Sequence, residues 1–576
     1  MKGGVLSADS APGTVHSEGT DGRPHRWTRF YPPGVHAEID GLSARSLSDL
    51  VHQAAREYPD RVAFSNMGTG MTFSEVDALA TRFAAFLRGE LGLEAGDRIA
   101  IQMPNLLQYP IAMFGALRAG LVVVNVNPLY TVAEMEAVLA DSRPKAIVVL
   151  ANFADKVQRV SASVKIDHVI VTQIGDLFPW PKRIVVNTMV RRVKKLVPSY
   201  RISNEVRFVD ALRRGARCPF AEPVIGPEDL AFLQYTGGTT GGVKAAMLTH
   251  HNLVSNQSQF GEFMRFALDG VTAPTVIAPL PLYHVFSLTV NCLGLFRLGA
   301  TNILITDPGD TPGLIQILRK TKPHAIVLVN TLAAGLLNNA DFATLDFARL
   351  KMTLAGGMAL RSSVAAQWQR VTGSPILEGY GLTEASPVVS TNPPHLPPRT
   401  GTIGVPLPST DVAILDDERQ PVPIGTAGEL AVKGPQVMRG YWNRPQESAE
   451  VLTADGWLLT GDIATIDGDG YLTIADRKKD MIVVSGFNVY PGEIEDTAMR
   501  HPKVLEAGVI GVPDDKSGEA PKLFVVKRDP SLTEDEIRNY LRERLTGYKQ
   551  PRHIQFVEEL PKTNVGKVLR RALHNL

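Results

Sequence analysis

Short apolar runs alternate with helix-patterned stretches through most of this sequence, and that rhythm restricts the fold more than any other feature. The run RIAIQM (Arg98 to Met103) precedes the helical pattern LLQYPIAMFGALRAG, and LVVVNVN, a second helical stretch from Thr131 to Asp141, and AIVVL follow. Strands with no polar side are buried on both faces, and strands that alternate with helices build a parallel sheet covered by helices. The rhythm resumes at Asn302 to Thr306, Ala325 to Asn330 and Met352 to Ala355. The predicted class is α/β, with parallel sheets in a large N-terminal body.

The texture changes near Thr400. From Gly401 to Ala475 strands are short and turns frequent, with TDVAILD, GELAVKG and GYLTIAD as the strands of a β-rich subdomain. Beyond Lys479 a smaller α+β unit carries LEAGVIGV, KLFVVKR and HIQFVEEL as strands, and a helix that starts at Thr533 with Glu536 completing a capping box. The expected division is a disordered extension over 1–25, a body over 26–478 that includes the subdomain at 401–475, and a small C-terminal domain over 479–576.

Composition narrows the function classes. The 576 residues carry a net charge of +1, so no global field draws the chain to nucleic acid, and none is expected as a partner. Two cysteines, Cys218 and Cys292, provide neither a disulfide framework nor a metal cluster, which fits a reducing, cytoplasmic setting. The most apolar stretch, Val276 to Leu298, is interrupted by Pro279, Pro281, His284 and Asn291, and reads as a buried strand, a loop and a helix rather than a membrane span. One stretch stands apart: PKRIVVNTMVRRVKKLVPSYR, from Pro181 to Arg201, mixes cations with apolar residues. It fits a linker helix with one face on the core, and it also fits a basic amphipathic helix in peripheral contact with a membrane surface.

The most informative chemistry lies in YTGGTTGGVKAAMLTH, Tyr235 to His250. Gly237, Gly238, Gly241 and Gly242 let backbone N–H groups approach an anion, Thr236, Thr239 and Thr240 add hydroxyl donors, and Lys244 adds a mobile cation. The helical segment expected next would point its N-terminal dipole at a phosphate. The spacing departs from the Walker pattern, because Lys244 does not directly follow a glycine.

Further motifs follow in order: EGYGLTE at Glu378 to Glu384, GEL at Gly428 to Leu430, GYW at Gly440 to Trp442 and TGD at Thr460 to Asp462. DRKKDMIVVSGFNVYPGEIE then begins at Asp476, and PKTNVGK ends at Lys567. Together with the loop, this series resembles the adenylate-forming superfamily of acyl-CoA synthetases, luciferases and adenylation domains. The QYTGG opening, VSGFNVYP and PKTNVGKVLRR make it most similar to bacterial long-chain fatty-acid–CoA ligases. One departure stands out: Ala245 follows Lys244 where such enzymes usually have glycine, which raises the question of a stiffened or crowded loop.

The resemblance implies ATP, Mg²⁺ and coenzyme A, with a fatty acid as the acid substrate. A carboxylate attacks the α-phosphate of ATP to form an acyl-adenylate, and a thiol then takes the acyl group. It assigns Lys567 to the first step and Lys244 to the phosphates. Glu384 with Thr239 or Thr240 would hold Mg²⁺. It places Tyr235, Thr236, Gly356, Gly357, Glu378, Gly379 and Thr383 around the nucleotide, Tyr380 on the adenine, and Asp462 with Arg477 on the ribose. His284 and Phe286 would gate the acyl site, Gly486 would face the channel for coenzyme A, and Lys479 would be the hinge. An acyl-AMP ligase serving a carrier protein, an aryl-acid–CoA ligase, and an inactive acyl- or nucleotide-binding sensor remain alternatives. Oligomeric state and acyl chain length are not legible.

Overall fold

A computed structural model describes residues 25–576 except 40, 43, 237–242, 486, 515 and 563–567. The strand–helix rhythm resolves into two large sheets. The first has seven strands in the order Val206–Arg207, His168–Thr172, Ala146–Leu150, Arg98–Gln102, Val122–Asn125, Leu230–Thr236, Lys244–Thr249. It is parallel except at its last pair, which is an antiparallel hairpin. The second has nine strands, with Thr275–Ala278, Thr301–Leu304, Ala325–Leu328, Met352–Ala355 and Ile376–Gly381 as its parallel centre. Val62–Asn66 joins this sheet alongside Thr301–Leu304.

Period-two alternation within each strand explains the layering. Ile99, Ile101 and Val123 enter the main hydrophobic cluster, which also takes Val276, Ala278 and Val327 from the second sheet. Their neighbours Ala100, Val122 and Val124 face a separate cluster on the far side of the seven-stranded sheet. Ile277, Ile326 and Leu328 likewise face a third cluster behind the nine-stranded one. Both faces of each sheet are therefore buried, and so the strands are mostly apolar on both sides.

Helix starts follow local chemistry. Ser46, Thr72, Thr131 and Thr249 each cap a helix reciprocally with the residue three positions on. At Thr533 only half of the expected box forms: Thr533 Oγ1 accepts from Glu536 N, but the Glu536 carboxylate turns to Lys503 Nζ at 3.0 Å. A charged partner 33 residues away outcompetes the local backbone N–H. Val276 to Leu298 forms a buried strand (Thr275–Ala278), a loop and helical turns from Val285 to Leu295, as its polar interruptions require.

The β-rich segment is a four-stranded antiparallel sheet of Asp411–Leu415, Gly428–Lys433, Leu458–Ile466 and Leu472–Arg477. After it, Val504–Asp514 and Gly518–Lys527 form the centre of a separate five-stranded sheet with its own core. Of the extension expected over 1–25, residues 1–24 lie outside the described residues, whereas His25 stacks on Trp27 and bonds Asp411 at 2.7 Å, so the ordered body starts at least one residue earlier than expected.

Candidate active site

The strand Leu230–Thr236 runs to the mouth of the glycine-rich loop, and the chain returns as Lys244–Thr249 paired antiparallel to it. This corrects the expectation of a helix directly after the loop. The helix His250–Met264 begins only beyond the returning strand, so its dipole is aimed from the far end of a six-residue strand, about 20 Å away. KAAMLT forms a strand because Ala245, Ala246 and Leu248 are fully buried against the sheet, while Trp442 N donates to Ala245 O at 2.9 Å. The Ala245 methyl lies in the hydrophobic cluster, so the departure from glycine is absorbed by the core rather than projected at the loop.

Lys244 opens that strand. Its ammonium pairs with Glu447 and lies 5.6 Å from the centre of the Tyr441 ring. Tyr441 Oη donates to Glu384 Oε1 at 2.8 Å. The GYW motif thus bridges two residues assigned from the sequence, Lys244 and Glu384. The side chain of Tyr235 is buried, and its hydroxyl donates to Asp141 Oδ2 at 2.7 Å. Burial and Asp141 together push that phenol well above its ordinary range. Arg444 completes the contact with Asp141 at 3.2 Å. Thr236 lies at the mouth of the hairpin, its Oγ1 3.5 Å from Lys244 O.

A second constellation converges from the nine-stranded and four-stranded sheets. Tyr380 Oη donates to Asp462 Oδ2 at 2.5 Å, and Arg477 Nε lies 3.1 Å from Asp462 Oδ1. Glu384, Tyr441, Asp462, Arg477 and Lys478 border one cavity of about 380 Å³. The GEL motif has a defined place here: Glu429 accepts from Gly461 N at 3.1 Å and from Lys478 Nζ at 3.2 Å, tying the TGD loop to Lys478. The next residue, Lys479, is exposed, and partial desolvation together with the Arg477 charge lowers its ammonium.

Gly356, Gly357, Gly379 and Phe286 form a close third group. A Cβ on Gly356 would stand 3.1 Å from Phe286 Cζ and 3.3 Å from Gly379 O, so a side chain would close this approach. Gly357 has φ +78°, which favours glycine. Thr383 starts the turn that presents Glu384. His284 caps the turn leading to Phe286, accepting from Phe286 N at 3.3 Å. Gly237, Gly238, Thr239, Thr240, Gly241, Gly242, Gly486 and Lys567 lie outside the described residues. Lys562 and Val568, which flank the Lys567 segment, pair as a bridge. Lys562 bonds Glu506 at 2.6 Å, and the adjacent Leu505 O accepts from Arg361 at 3.3 Å, four residues beyond Gly357.

Sequence reasoning missed the residues that hold this architecture. Asn105 makes three hydrogen bonds to Ala278 O, Leu280 O and Leu282 N, at 2.8 to 3.0 Å. Gln234 donates to Tyr283 O at 2.9 Å and accepts from Asn125, which in turn accepts from Tyr109. These buried amides fasten the loop that carries His284 and Phe286 to the strand that leads into the glycine-rich segment. Polar residues inside apolar strands were the available signal, since buried amides need partners.

Glu378 is buried, and Leu360 N donates to its Oε1 at 2.9 Å. Burial raises its carboxyl to about 7, against the lowering effect of that hydrogen bond. The native state therefore holds a proton that the unfolded chain releases, so this contribution to stability is fully present below about pH 4.5 and is lost as pH rises through 7. Glu378→Gln is expected to raise stability near pH 8 by about 2 kcal/mol and to flatten the slope across that window. Thermal melts at several pH values test this, and an unchanged slope refutes it.

The comparisons with known proteins agree with this geometry. The model of the AMP-binding enzyme family matches residues 51–442, and that of the AMP-binding enzyme C-terminal domain matches 493–567. The chain is 52% identical to a long-chain-fatty-acid–CoA ligase of Haemophilus influenzae over 550 residues, 95% of this chain and 98% of that protein. It is 50% identical to a protein of the same name from Escherichia coli over 553 residues, with the same coverage. The crystal structure of ATP-bound MatB from Rhodopseudomonas palustris superposes with a TM-score of 0.80 at 28% identity, covering 92% of this chain and 98% of that one.

Proposed function

The chain belongs to the AMP-binding enzyme family, and from that premise we propose that it activates a long-chain fatty acid with ATP and transfers the acyl group to coenzyme A. The observation that carries this reading is the convergence of Glu384, Asp462 and Arg477 on one cavity, in a chain half identical over nearly its full length to long-chain-fatty-acid–CoA ligases.

The chemistry divides into two displacements. The fatty-acid carboxylate oxygen attacks the α-phosphorus of ATP, and pyrophosphate leaves with the bonding electron pair. The coenzyme A thiolate then attacks the acyl carbonyl, and AMP leaves. The first step brings an anion to a polyanion, so the chain must supply cations and dipoles where charge accumulates. Lys567 takes that role from the C-terminal domain, and Lys244 joins the phosphates after exchanging Glu447 for them. Asp462 accepts from the ribose hydroxyls, Arg477 holds Asp462, and the Tyr380 ring flanks the adenine. Gly356 and Gly379 leave room for the nucleotide beside Phe286. Lys479 serves as the hinge between the two steps, and Gly486 keeps the thiol's path open.

Glu384 and Thr239 would hold Mg²⁺. One Glu384 oxygen is taken by Tyr441 while the carboxylate borders the cavity, a donor set that suits a mostly hydrated ion. When bound, the ion would neutralise phosphate charge. Among the described residues no helix is long and apolar enough to cross a membrane. A fatty chain needs only apolar burial, worth about 0.8 kcal/mol per CH₂, and the lipid surface that supplies it is part of this proposal.

Pyrophosphate release across saturated acids from short to long, with and without coenzyme A, tests the reading. Release is expected to peak at medium or long chains and to turn over only with coenzyme A. Turnover indifferent to coenzyme A would assign the acyl group to another acceptor, and no release with any acid would refute the proposal.

A further inference from the structure

The helical stretch Lys182–Thr188, continued by Met189–Val193, is attached to the body with its polarity reversed. A surface helix normally buries an apolar stripe and exposes its polar side. Here Asn187 faces inward: Gly175 N donates to its Oδ1 at 2.8 Å, and its Nδ2 donates to Asp176 Oδ1 at 3.1 Å. Lys182 Nζ also turns to the body, bonding Met67 O and, at 3.2 Å, Thr69 Oγ1. Val186 rests against the main cluster, yet no residue of the stretch is buried.

The outward face is apolar. Trp180, Ile184, Val185, Met189, Val193 and Leu196 are 43 to 72% exposed. Thirteen large apolar side chains are exposed among the described residues, and these six fall within 17 consecutive positions. Scattered exposed apolar residues are ordinary, but a contiguous group of this kind marks a surface made to be covered.

Charge identifies what covers it. Residues 177–204 contain seven of the chain's sixty Lys and Arg and none of its fifty-nine Asp and Glu, although the whole chain is nearly neutral. Arg191, Arg192, Lys194 and Lys195 are exposed and make no ion pair with a described carboxylate. Cations interleaved with aliphatic side chains, and a tryptophan at the edge, match the boundary between phosphate headgroups and acyl chains. We propose that residues 180–196 dock the chain on an anionic lipid bilayer, the apolar face entering between headgroups and the cations resting on lipid phosphates. The proposal does not depend on the ligase reading, because docking is measured without acid, ATP or coenzyme A.

The test mixes the full-length chain with phosphatidylcholine vesicles, with or without phosphatidylglycerol, and floats them on a density gradient. Flotation is expected to require the anionic lipid, to weaken in high salt, and to fall about tenfold or more in R191E/R192E and in V185S/V193S. Trp180 emission should shift to the blue with anionic vesicles, a change that W180F loses. Both double variants should retain turnover of a water-soluble medium-chain acid, since neither pair belongs to the candidate site. Equal flotation of the unaltered chain and both variants overturns the proposal, as does failure of the unaltered chain to float with anionic vesicles. Self-association that V185S/V193S abolishes, with no vesicle binding, would overturn it in favour of a second copy.

Discussion

Replacing Asp462 with alanine is expected to lower kcat/KM for ATP by about two to three orders of magnitude while leaving the melting temperature within a few degrees. The Asp462 side chain is 7% exposed, with one oxygen facing Tyr380 Oη and the other Arg477 Nε. Each oxygen keeps a second lone pair, so the carboxylate can accept from two vicinal ribose hydroxyls without releasing either protein partner. A hydrogen bond to a charged group contributes about 1.5–3 kcal/mol, and two of them lost together at the lower part of that range correspond to the stated factor at about 1.4 kcal/mol per tenfold. The alanine variant also leaves the Arg477 guanidinium and the Tyr380 hydroxyl without their shared acceptor. Asp462→Asn keeps one acceptor oxygen and should lose less, about tenfold. Steady-state pyrophosphate release at varied ATP measures both variants. A loss below tenfold for the alanine variant would make Asp462 a brace for Tyr380 and Arg477 rather than a nucleotide contact.

The second large effect is expected at Arg570. Its guanidinium bonds Asp476 at 2.7 Å, Asp480 at 3.0 Å and Glu495 at 3.0 Å. Asp476 and Asp480 flank Lys479, so one side chain near the C-terminus clasps both sides of the proposed hinge and the helix Pro491–Met499 behind it. Burial opposes the charge on Arg570, but Glu495 and Asp476 outweigh it and hold the guanidinium firmly protonated. Arg570→Met fills similar volume and leaves the enclosed carboxylates without their cation. Removing one partner of a buried ion pair costs about 3–5 kcal/mol, and the variant should melt earlier, with the C-terminal domain becoming protease-sensitive first. Burial already raises the Glu495 carboxyl, and without Arg570 it would take up a proton in the folded state, so the loss should shrink as pH falls below neutral. A variant that melts like the parent at pH 8 would show that the carboxylates find other partners.

Much of this molecule was legible in one dimension. Apolar runs buried on both faces announced a parallel sheet, because a strand covered on two sides holds a polar residue only where a buried partner meets it. Capping at Thr72, Thr131 and Thr249 depends on neighbours three residues apart. The ordered motifs pointed to Glu384, Asp462 and Arg477, which the fold brings to the edge of one cavity, because a motif names residues without requiring the chain path between its parts.

Tertiary structure decided what depends on distant partners. One strand–helix rhythm became two sheets, since periodicity tells which faces are buried but not which strands are neighbours. KAAMLT became a strand antiparallel to Leu230–Thr236 at the edge of the seven-stranded sheet, an outcome that local propensity does not contain. Lys244 met Glu447, Gln234 met Tyr283, and Arg570 met Asp476 across 203, 49 and 94 positions. Such pairs leave no periodic trace, because a hydrogen bond or ion pair specifies a distance in space and not a spacing in sequence. Residue identity set the chemistry available to this chain, and the fold set which groups meet, because only packing brings these groups within reach of one another.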